Sequence, residues 1–323
     1  MPKVLLVDPI NDMGTTILKN AGLTVIKKED CSEAEFERSI SEAWGVIVRT
    51  SKVTKDMIES APSLSIIGRH GAGVDNIDVE FATRKRIAVV NTPDANTAPV
   101  AEYVIGSILT LAKGFVMCDN SMKKGEWKFR DSYKPLEVAG TTLGLIGYGR
   151  IGRNVAVKAL ALGLNVIVFD PYIEEHSDLK KDEPKPSFYR QMKEVIKASD
   201  FLSLHIPYSK DNAGLIDFDK IKLMKDTSYL INASRGGVVV ENDLYRALDE
   251  GVIAGAAVDV FESEPPPENH LFFKLNNIIL TPHNAALTQN AMIRAASTVA
   301  QELVAHYQGD ELANLVNPMV IRS

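Results

Sequence analysis

The chain has 323 residues, which exceeds one ordinary domain and favours two. Its composition of 45% hydrophobic and 24% charged residues is that of a globular protein and excludes a disordered chain. The formal net charge of -6 leaves no broad basic surface, so nucleic acid is not an expected partner.

The cysteines are compatible with a reducing compartment, and the apolar segments are short. Cys31 and Cys118 show no C-x-x-C spacing, so neither a disulfide framework nor a metal site is expected. The first residues lack the basic and long apolar regions of a signal peptide. Apolar runs such as residues 104–112 fall well short of the roughly 20 residues that span a bilayer. We therefore expect a cytoplasmic protein with no membrane partner.

The first third of the chain alternates short apolar runs with amphipathic stretches, which predicts parallel strands joined by helices. The predicted strands are residues 4–7, 25–27, 45–48, 64–68 and 87–90. A turn-rich segment, residues 91–97, then precedes a helical pattern over residues 99–113. We place a domain boundary at that turn.

A second series of apolar runs begins at Thr142 and predicts a doubly wound parallel sheet. The predicted strands are residues 143–146, 166–169, 201–205, 229–232, 256–258 and 278–280. Residues 288–308 then show helical spacing, with Ala295, Val299, Leu303 and Tyr307 four apart. This last helix is able to return the chain to the first domain.

The first strand of the second series ends in the pattern G-x-G-x-x-G, formed by Gly147, Gly149 and Gly152. Glycines allow a sharp turn, a close approach of pyrophosphate to the backbone and tight packing of the next helix. The N–H groups at the start of that helix then face the anion. A glycine-rich turn without a ligand is the other interpretation, but the preceding strand and following helix favour dinucleotide binding.

Asp170 ends the next apolar run, about where a carboxylate binds the ribose hydroxyls of a dinucleotide. A carboxylate also repels the 2′-phosphate of NADP, so Asp170 favours NAD. The other interpretation is an aspartate that opens the turn before Pro171.

Three later strands are each followed by a polar residue suited to catalysis: Arg235, Glu264 and His283. Arg235 is suited to binding a carboxylate through two bonds, and His283 to exchanging a proton near neutral pH. Glu264 is suited to binding the other ring nitrogen of His283. Taken alone, Arg235 also fits a surface ion pair, Glu264 a solvated charge in a loop and His283 a histidine in a turn. Their common placement after a nucleotide motif favours an active site.

Several segments together resemble the D-isomer-specific 2-hydroxyacid dehydrogenase family, and the resemblance covers nearly the whole chain. They are residues 71–78 (GAGVDNID), 147–152 (GYGRIG), 232–236 (NASRG), 259–265 (DVFESEP) and 281–283 (TPH). The resemblance implies a Rossmann NAD-binding domain, residues 98–286, inserted in a flavodoxin-like substrate-binding domain, residues 1–97 and 287–323. It also implies an active site between the domains, hydride transfer between nicotinamide and C2 of a small 2-hydroxy or 2-keto acid, and a homodimer.

The resemblance also implies roles for individual residues. Arg235, Glu264 and His283 match the catalytic residues of the family. The backbone N–H groups of Ala72, Gly73 and Val74 would bind the substrate carboxylate. Further cofactor contacts implied are Arg150, Ile151, His205, Pro207, Ala233, Asp259 and Thr97.

Residues 48–54 (VRTSKVT) and 68–71 (GRHG) are most similar to family members that oxidise 3-phosphoglycerate, with Arg49 or Lys52 as the expected phosphate ligand. The chain departs from those members after Arg49, where it is one residue shorter, and at His70, where they often have alanine. A glyoxylate or hydroxypyruvate reductase therefore stays open. So does a binding protein that senses NAD(H), similar to the dehydrogenase-fold corepressors.

Overall fold

The computed structural model describes residues 1–29, 31–172 and 185–320. The chain forms two compact units. Unit 1 consists of Met1–Asn96 with Leu287–Ser323, and unit 2 of Thr97–Ala286. Each unit is an α/β structure with its own parallel sheet.

Unit 1 contains a five-stranded parallel sheet with the order β2-β1-β3-β4-β5, which is the flavodoxin-like order. Its strands are β1 (Lys3–Leu6), β2 (Thr24–Lys27), β3 (Gly45–Val48), β4 (Ile66–Arg69) and β5 (Ala88–Val90). The central strand β3 is buried throughout because helices cover both faces of the sheet. All five predicted strands are confirmed.

The helices of unit 1 begin at residues with capping side chains. They are α1 (Asp12–Asn20), α2 (Glu33–Ile40), α3 (Lys55–Glu59), α4 (Val79–Arg84) and, from the end of the chain, α12 (Gln289–Gln308). The side chains of Asn11, Ser32, Thr54, Asp78 and Thr288 each accept a hydrogen bond from the first turn of the helix that follows.

Helix α12 returns the chain to unit 1, as its spacing predicts. Val299 and Leu303 are fully buried and pack in one core with Val4 and Ile66. Tyr307 lies in the last turn of the helix, where it is exposed and meets Trp44 edge to face. A 3-10 helix, Pro318–Val320, follows.

Unit 2 contains a seven-stranded parallel sheet with the order β12-β11-β10-β9-β6-β7-β8. Its strands are β6 (Thr142–Ile146), β7 (Asn165–Phe169), β8 (Ser187–Phe188), β9 (Phe201–Leu204), β10 (Tyr229–Asn232), β11 (Gly255–Val258) and β12 (Ile278–Leu280). The direction of winding reverses at β6, as in a Rossmann sheet extended by one strand. The six predicted strands are confirmed, and the two-residue strand β8 was not predicted.

The helices of unit 2 cover both faces of its sheet. They are α5 (Thr97–Lys113), α6 (Phe115–Lys123), α7 (Phe129–Ser132), α8 (Arg150–Ala161), α9 (Met192–Ala198), α10 (Phe218–Ile221) and α11 (Glu241–Asp249), with a 3-10 helix at Leu271–Lys274. Val104 and Ile108 of α5 pack against Val155 and Ala159 of α8. In the described residues no single helix meets the length and hydropathy expected of a membrane span, although the bent pair α5 and α6 does when taken together.

Candidate active site

Arg235, Glu264 and His283 follow three neighbouring strands of the unit 2 sheet. Arg235 comes after β10, Glu264 after β11 and His283 after β12, and these strands pair in parallel. Because the carboxyl ends of parallel strands lie at one edge of the sheet, the fold brings the three side chains to the same region.

Glu264 and His283 form a direct hydrogen bond, with 2.7 Å between Oε2 and Nδ1. The other carboxylate oxygen, Oε1, accepts the Phe261 N–H at 3.0 Å. With Nδ1 on the carboxylate, Nε2 of His283 is the nitrogen left for a further partner. The His283 side chain is 49% exposed and that of Glu264 is 37% exposed, so a small molecule is able to reach them.

The charges around Glu264 keep it ionised. Burial raises the pKa of Glu264, but the hydrogen bonds to His283 and Phe261 and the charges of His283 and Arg235 outweigh it and hold the pKa below its usual value. An ionised carboxylate only accepts hydrogen bonds, so Nδ1 of His283 is the donor in the bond to Glu264. The site thus combines an imidazole, its carboxylate partner and a nearby guanidinium.

His283 has a left-handed backbone, with φ of 49°, which is uncommon for a residue other than glycine. The buried Asp259 holds this turn. Its carbonyl accepts the His283 N–H at 2.8 Å, and its carboxylate accepts the N–H groups of Asn284 and Ala285. Asp259 therefore fixes the direction of His283, a function that its sequence position did not suggest, while its contact with a cofactor stays a prediction.

The loop that carries Arg235 is fixed by Asn232. The Asn232 side chain donates to the Arg235 carbonyl at 3.1 Å and accepts from both the N–H and the hydroxyl of Ser234. The guanidinium donates through Nη1 to the Ser234 carbonyl at 2.8 Å. Arg235 is thus half-buried with a fixed base, which suits a directional contact with a carboxylate.

The glycine-rich loop fits a dinucleotide. A Cβ on Gly147, whose φ is 96°, would lie 2.4 Å from the His205 carbonyl oxygen, and one on Gly152 would lie 2.6 Å from that of Gly147. A Cβ on Gly149 would instead meet open space, and Gly149 caps α8 without a side chain. The first N–H groups of α8 are therefore accessible to a pyrophosphate.

Asp170 closes the turn before Pro171, which is one of the two interpretations of its sequence position, and its contact with a ribose stays a prediction. Its Oδ1 accepts the Tyr172 N–H at 2.9 Å, which closes the turn, and its Oδ2 accepts the Tyr148 N–H of the glycine-rich loop at 2.7 Å. Each carboxylate oxygen has a second lone pair, so both can still accept a ribose hydroxyl.

The other predicted cofactor contacts lie mostly around this loop. Burial lowers the pKa of His205 to about 4, so its ring is neutral at pH 7, and Nε2 lies 3.0 Å from the Ser203 hydroxyl. Arg150 and Ile151 open α8, Thr97 opens α5, Pro207 follows β9 and Ala233 follows β10. Their contacts with a cofactor stay predictions.

Unit 1 places the predicted carboxylate-binding loop after β4. The N–H groups of Ala72, Gly73 and Val74 have no acceptor within the described part of the chain. Asn91 binds the Ala72 carbonyl at 2.7 Å and the Thr92 N–H binds the Gly71 carbonyl at 3.0 Å, which fix the loop. Three successive N–H groups of this kind suit an anion.

Arg49 follows β3 in a loop organised by Asp8, which sequence reasoning missed. The Asp8 carboxylate accepts the N–H groups of Arg49, Thr50 and Ser51. Burial raises the pKa of Asp8, but these hydrogen bonds outweigh it and lower the pKa. Burial also lowers the pKa of the nearby His70 to about 4, so His70 is neutral at pH 7 and adds no charge beside Arg49.

Known proteins are similar to this chain in sequence and in fold. The model of the "D-isomer specific 2-hydroxyacid dehydrogenase, NAD binding domain" matches residues 105–285. A D-3-phosphoglycerate dehydrogenase of Methanocaldococcus jannaschii is 41% identical over 98% of this chain, which spans 60% of that relative.

Two solved structures show the same fold over nearly their whole length. The TT0316 protein of Thermus thermophilus has a TM-score of 0.88 and 28% identity, and the alignment covers 97% of this chain and 99% of the other. An NADPH-dependent glyoxylate/hydroxypyruvate reductase of Sinorhizobium meliloti, solved with NADP and malonate, has a TM-score of 0.86 and 26% identity, with 98% and 97% covered.

Proposed function

Because the chain belongs to the D-isomer-specific 2-hydroxyacid dehydrogenase family, we propose that it interconverts a D-2-hydroxy acid and its 2-keto acid with NAD. The proposal rests on the placement of Arg235, Glu264 and His283 after three neighbouring strands of a sheet with a glycine-rich loop. The preferred pair is 3-phosphoglycerate and 3-phosphohydroxypyruvate.

The side chains of unit 2 have distinct tasks in this reaction. Arg235 binds the substrate carboxylate and polarises the neighbouring C2 oxygen. His283 gives a proton to that oxygen through Nε2 in reduction and removes it in oxidation, while Glu264 stabilises the protonated ring. When bound, NAD supplies the hydride chemistry, and the N–H groups of α8 and the carboxylate of Asp170 hold it.

Unit 1 is proposed as the substrate-binding domain and unit 2 as the NAD-binding domain. The N–H groups of Ala72, Gly73 and Val74, which have no acceptor among the described residues, support a role in binding the substrate carboxylate. The preference for a phosphorylated substrate is supported by the similarity to phosphoglycerate dehydrogenases and by Arg49. The Sinorhizobium reductase supports the second candidate, reduction of glyoxylate or hydroxypyruvate.

Substrate choice is tested at Arg49, which we expect to bind the phosphate. Replacement Arg49→Ala should lower kcat/KM for 3-phosphohydroxypyruvate by about 10- to 150-fold, the loss of one charge-assisted bond. Glyoxylate, which lacks the phosphate, should be little affected. Lys19→Ala, which removes an exposed charge from α1 of unit 1, is the control and should affect neither substrate. Equal losses on both substrates in Arg49→Ala would make Arg49 structural and favour the unphosphorylated acids.

Cofactor choice is tested at Asp170. In Asp170→Ala, NADH loses a hydrogen bond and NADPH loses a repulsion, so the preference for NADH should narrow at least about tenfold. Asp170→Asn keeps an acceptor for a backbone N–H but loses the charge. It should therefore also narrow the preference for NADH over NADPH. The ratio of kcat/KM for the two cofactors measures this. A wild type that prefers NADPH, or an unchanged ratio in both variants, would limit Asp170 to shaping the turn.

We further propose a cytoplasmic homodimer that binds neither nucleic acid nor membranes. Support for the dimer is a run of exposed large apolar side chains on and after α6: Phe115, Val116, Met117, Met122 and Trp127. The net charge of -6 supports the absence of a nucleic-acid partner. A solution molar mass of one chain, measured by light scattering, would contradict the dimer.

A further inference from the structure

Glu264 lies in an irregular segment, residues 259–270, between β11 and the 3-10 helix Leu271–Lys274. No regular element fixes a side chain in such a segment. The bond to His283 requires Oε2 of Glu264 to stay 2.7 Å from Nδ1, so some other contact must hold the backbone.

Residues before Glu264 are tied to the start of α11. The Glu262 N–H donates to Oε1 of Glu241 at 2.8 Å, and the Glu241 N–H donates to Oε1 of Glu262 at 3.1 Å. Gly236 lies against the same stretch, since a Cβ there would be 1.8 Å from the Phe261 carbonyl oxygen. The loop that carries Arg235 is thereby in direct contact with the one that carries Glu264.

Residues after Glu264 are tied to the same glutamate through His270. Nε2 of His270 lies 3.0 Å from Oε2 of Glu241. Nδ1 accepts the Phe272 N–H at 3.3 Å, so the ring proton is on Nε2 and is donated to Glu241. The side chains of His270 and Glu241 are 7% and 15% exposed, which makes this a buried contact.

His270 also supports the residue that binds Glu264. Its ring meets the Phe261 ring edge to face, with centroids 5.5 Å apart, and the Phe261 N–H is the donor to Oε1 of Glu264. Glu241 therefore holds the segment on both sides of Glu264, at Glu262 and at His270.

We propose that Glu241 and His270 are positioning residues, which hold this segment so that Glu264 remains aligned with His283. The inference rests on the proposed function, since it concerns the proton transfer by His283. Neither residue touches the reacting groups, and their effect is on the geometry of the Glu264 carboxylate.

Two replacements of His270 separate the positioning bond from packing. In His270→Asn the amide occupies the place of Nδ1, so it can cap Phe272 but cannot reach Glu241. In His270→Gln the amide occupies the place of Nε2 and can still donate to Glu241. We expect His270→Asn to lower kcat roughly 10- to 100-fold, and His270→Gln to retain most of the activity.

The pH profile of keto-acid reduction distinguishes a misaligned Glu264 from a general loss of stability, which would lower activity without shifting the profile. The variants of His270 and Glu241 leave in place Glu264, which binds His283, the charge of Arg235 beside Glu264, and the Asp259 carboxylate that holds the His283 turn. If Glu264 is misaligned in His270→Asn, the protonated imidazole loses support and the alkaline limb of the profile moves to lower pH. The Kd for NADH should stay within about twofold of the wild-type value, because the glycine-rich loop is separate from the segment that carries Glu264.

Glu241→Gln provides a second route that leaves the His270 packing intact. Glutamine keeps one acceptor oxygen, whereas the contacts with Glu262 and His270 use two. We therefore expect kcat to fall less than in His270→Asn, and the pH profile to shift in the same direction. Phe273→Leu is the control, since Phe273 is half-exposed and meets the His270 ring without a hydrogen bond. Phe273→Leu should have the kcat and the pH profile of the wild type.

Different results overturn the two proposals. An inactive wild type, tested with the 2-keto acids, would refute the proposed function. If the wild type is active, two results would overturn the positioning role. One is an unmoved pH profile in both His270→Asn and Glu241→Gln, and the other is an equal loss of kcat in His270→Asn and His270→Gln. Should His270→Asn fail to fold, the profile of Glu241→Gln decides.

Discussion

His283→Ala is expected to lower turnover by about 100- to 10,000-fold while NADH binding stays nearly unchanged. The imidazole is the proposed proton donor to the C2 oxygen, and alanine cannot replace it. The proposed nucleotide contacts lie on other segments, at residues 147–152 and at Asp170. Turnover of a 2-keto acid and the fluorescence titration of NADH measure the two effects separately. Unchanged turnover across the pH range would remove His283 from the reaction.

Glu264→Gln is the matched variant for this prediction. It keeps the shape of the side chain but removes the charge that stabilises the protonated imidazole 2.7 Å away. Reduction needs the protonated ring, which persists only to lower pH without the carboxylate. The activity profile for reduction should therefore shift to lower pH, and an unmoved profile would exclude Glu264 from the proton transfer.

Arg235→Lys should lower kcat/KM for the keto acid by about 10- to 150-fold, although the charge is kept. An ammonium lacks the planar fork that binds a carboxylate through two parallel bonds. It also lacks the geometry with which Nη1 binds the Ser234 carbonyl. The steady-state kinetics of keto-acid reduction measure the loss.

Arg246→Lys is the control for this substitution. Arg246 forms an exposed ion pair with Glu250 at the end of α11, and its replacement should have almost no effect on kcat/KM. A near-wild-type Arg235→Lys would contradict the carboxylate contact.

The sequence was sufficient to predict the sheets because their strands are buried on both faces. A run such as residues 45–48 is apolar throughout, and its position between helical patterns identifies a parallel strand. The glycine spacing likewise predicted the turn at Gly147, where a left-handed backbone and the nearby His205 carbonyl leave no room for a side chain. Strand β8 was missed because two residues carry no periodicity.

The supporting contacts of the site were not predictable because they join distant segments. Asp8 binds the backbone of residues 49–51, and Glu241 binds His270 across 29 positions. A lone aspartate after a first strand, or a lone histidine in a loop, has no local pattern that reveals such a partner. The structure also showed that Asp170 closes the predicted turn and accepts the Tyr148 N–H of the glycine-rich loop, a contact that the sequence did not suggest.

Steady-state oxidation of NADH in the presence of 3-phosphohydroxypyruvate, hydroxypyruvate, glyoxylate or pyruvate tests the proposed dehydrogenase activity. We expect NADH to be consumed with formation of the D-2-hydroxy acid, and kcat/KM to be highest for 3-phosphohydroxypyruvate. If NADH binds but is not consumed with any of these acids, the result would contradict a dehydrogenase and favour a protein that only senses the nucleotide.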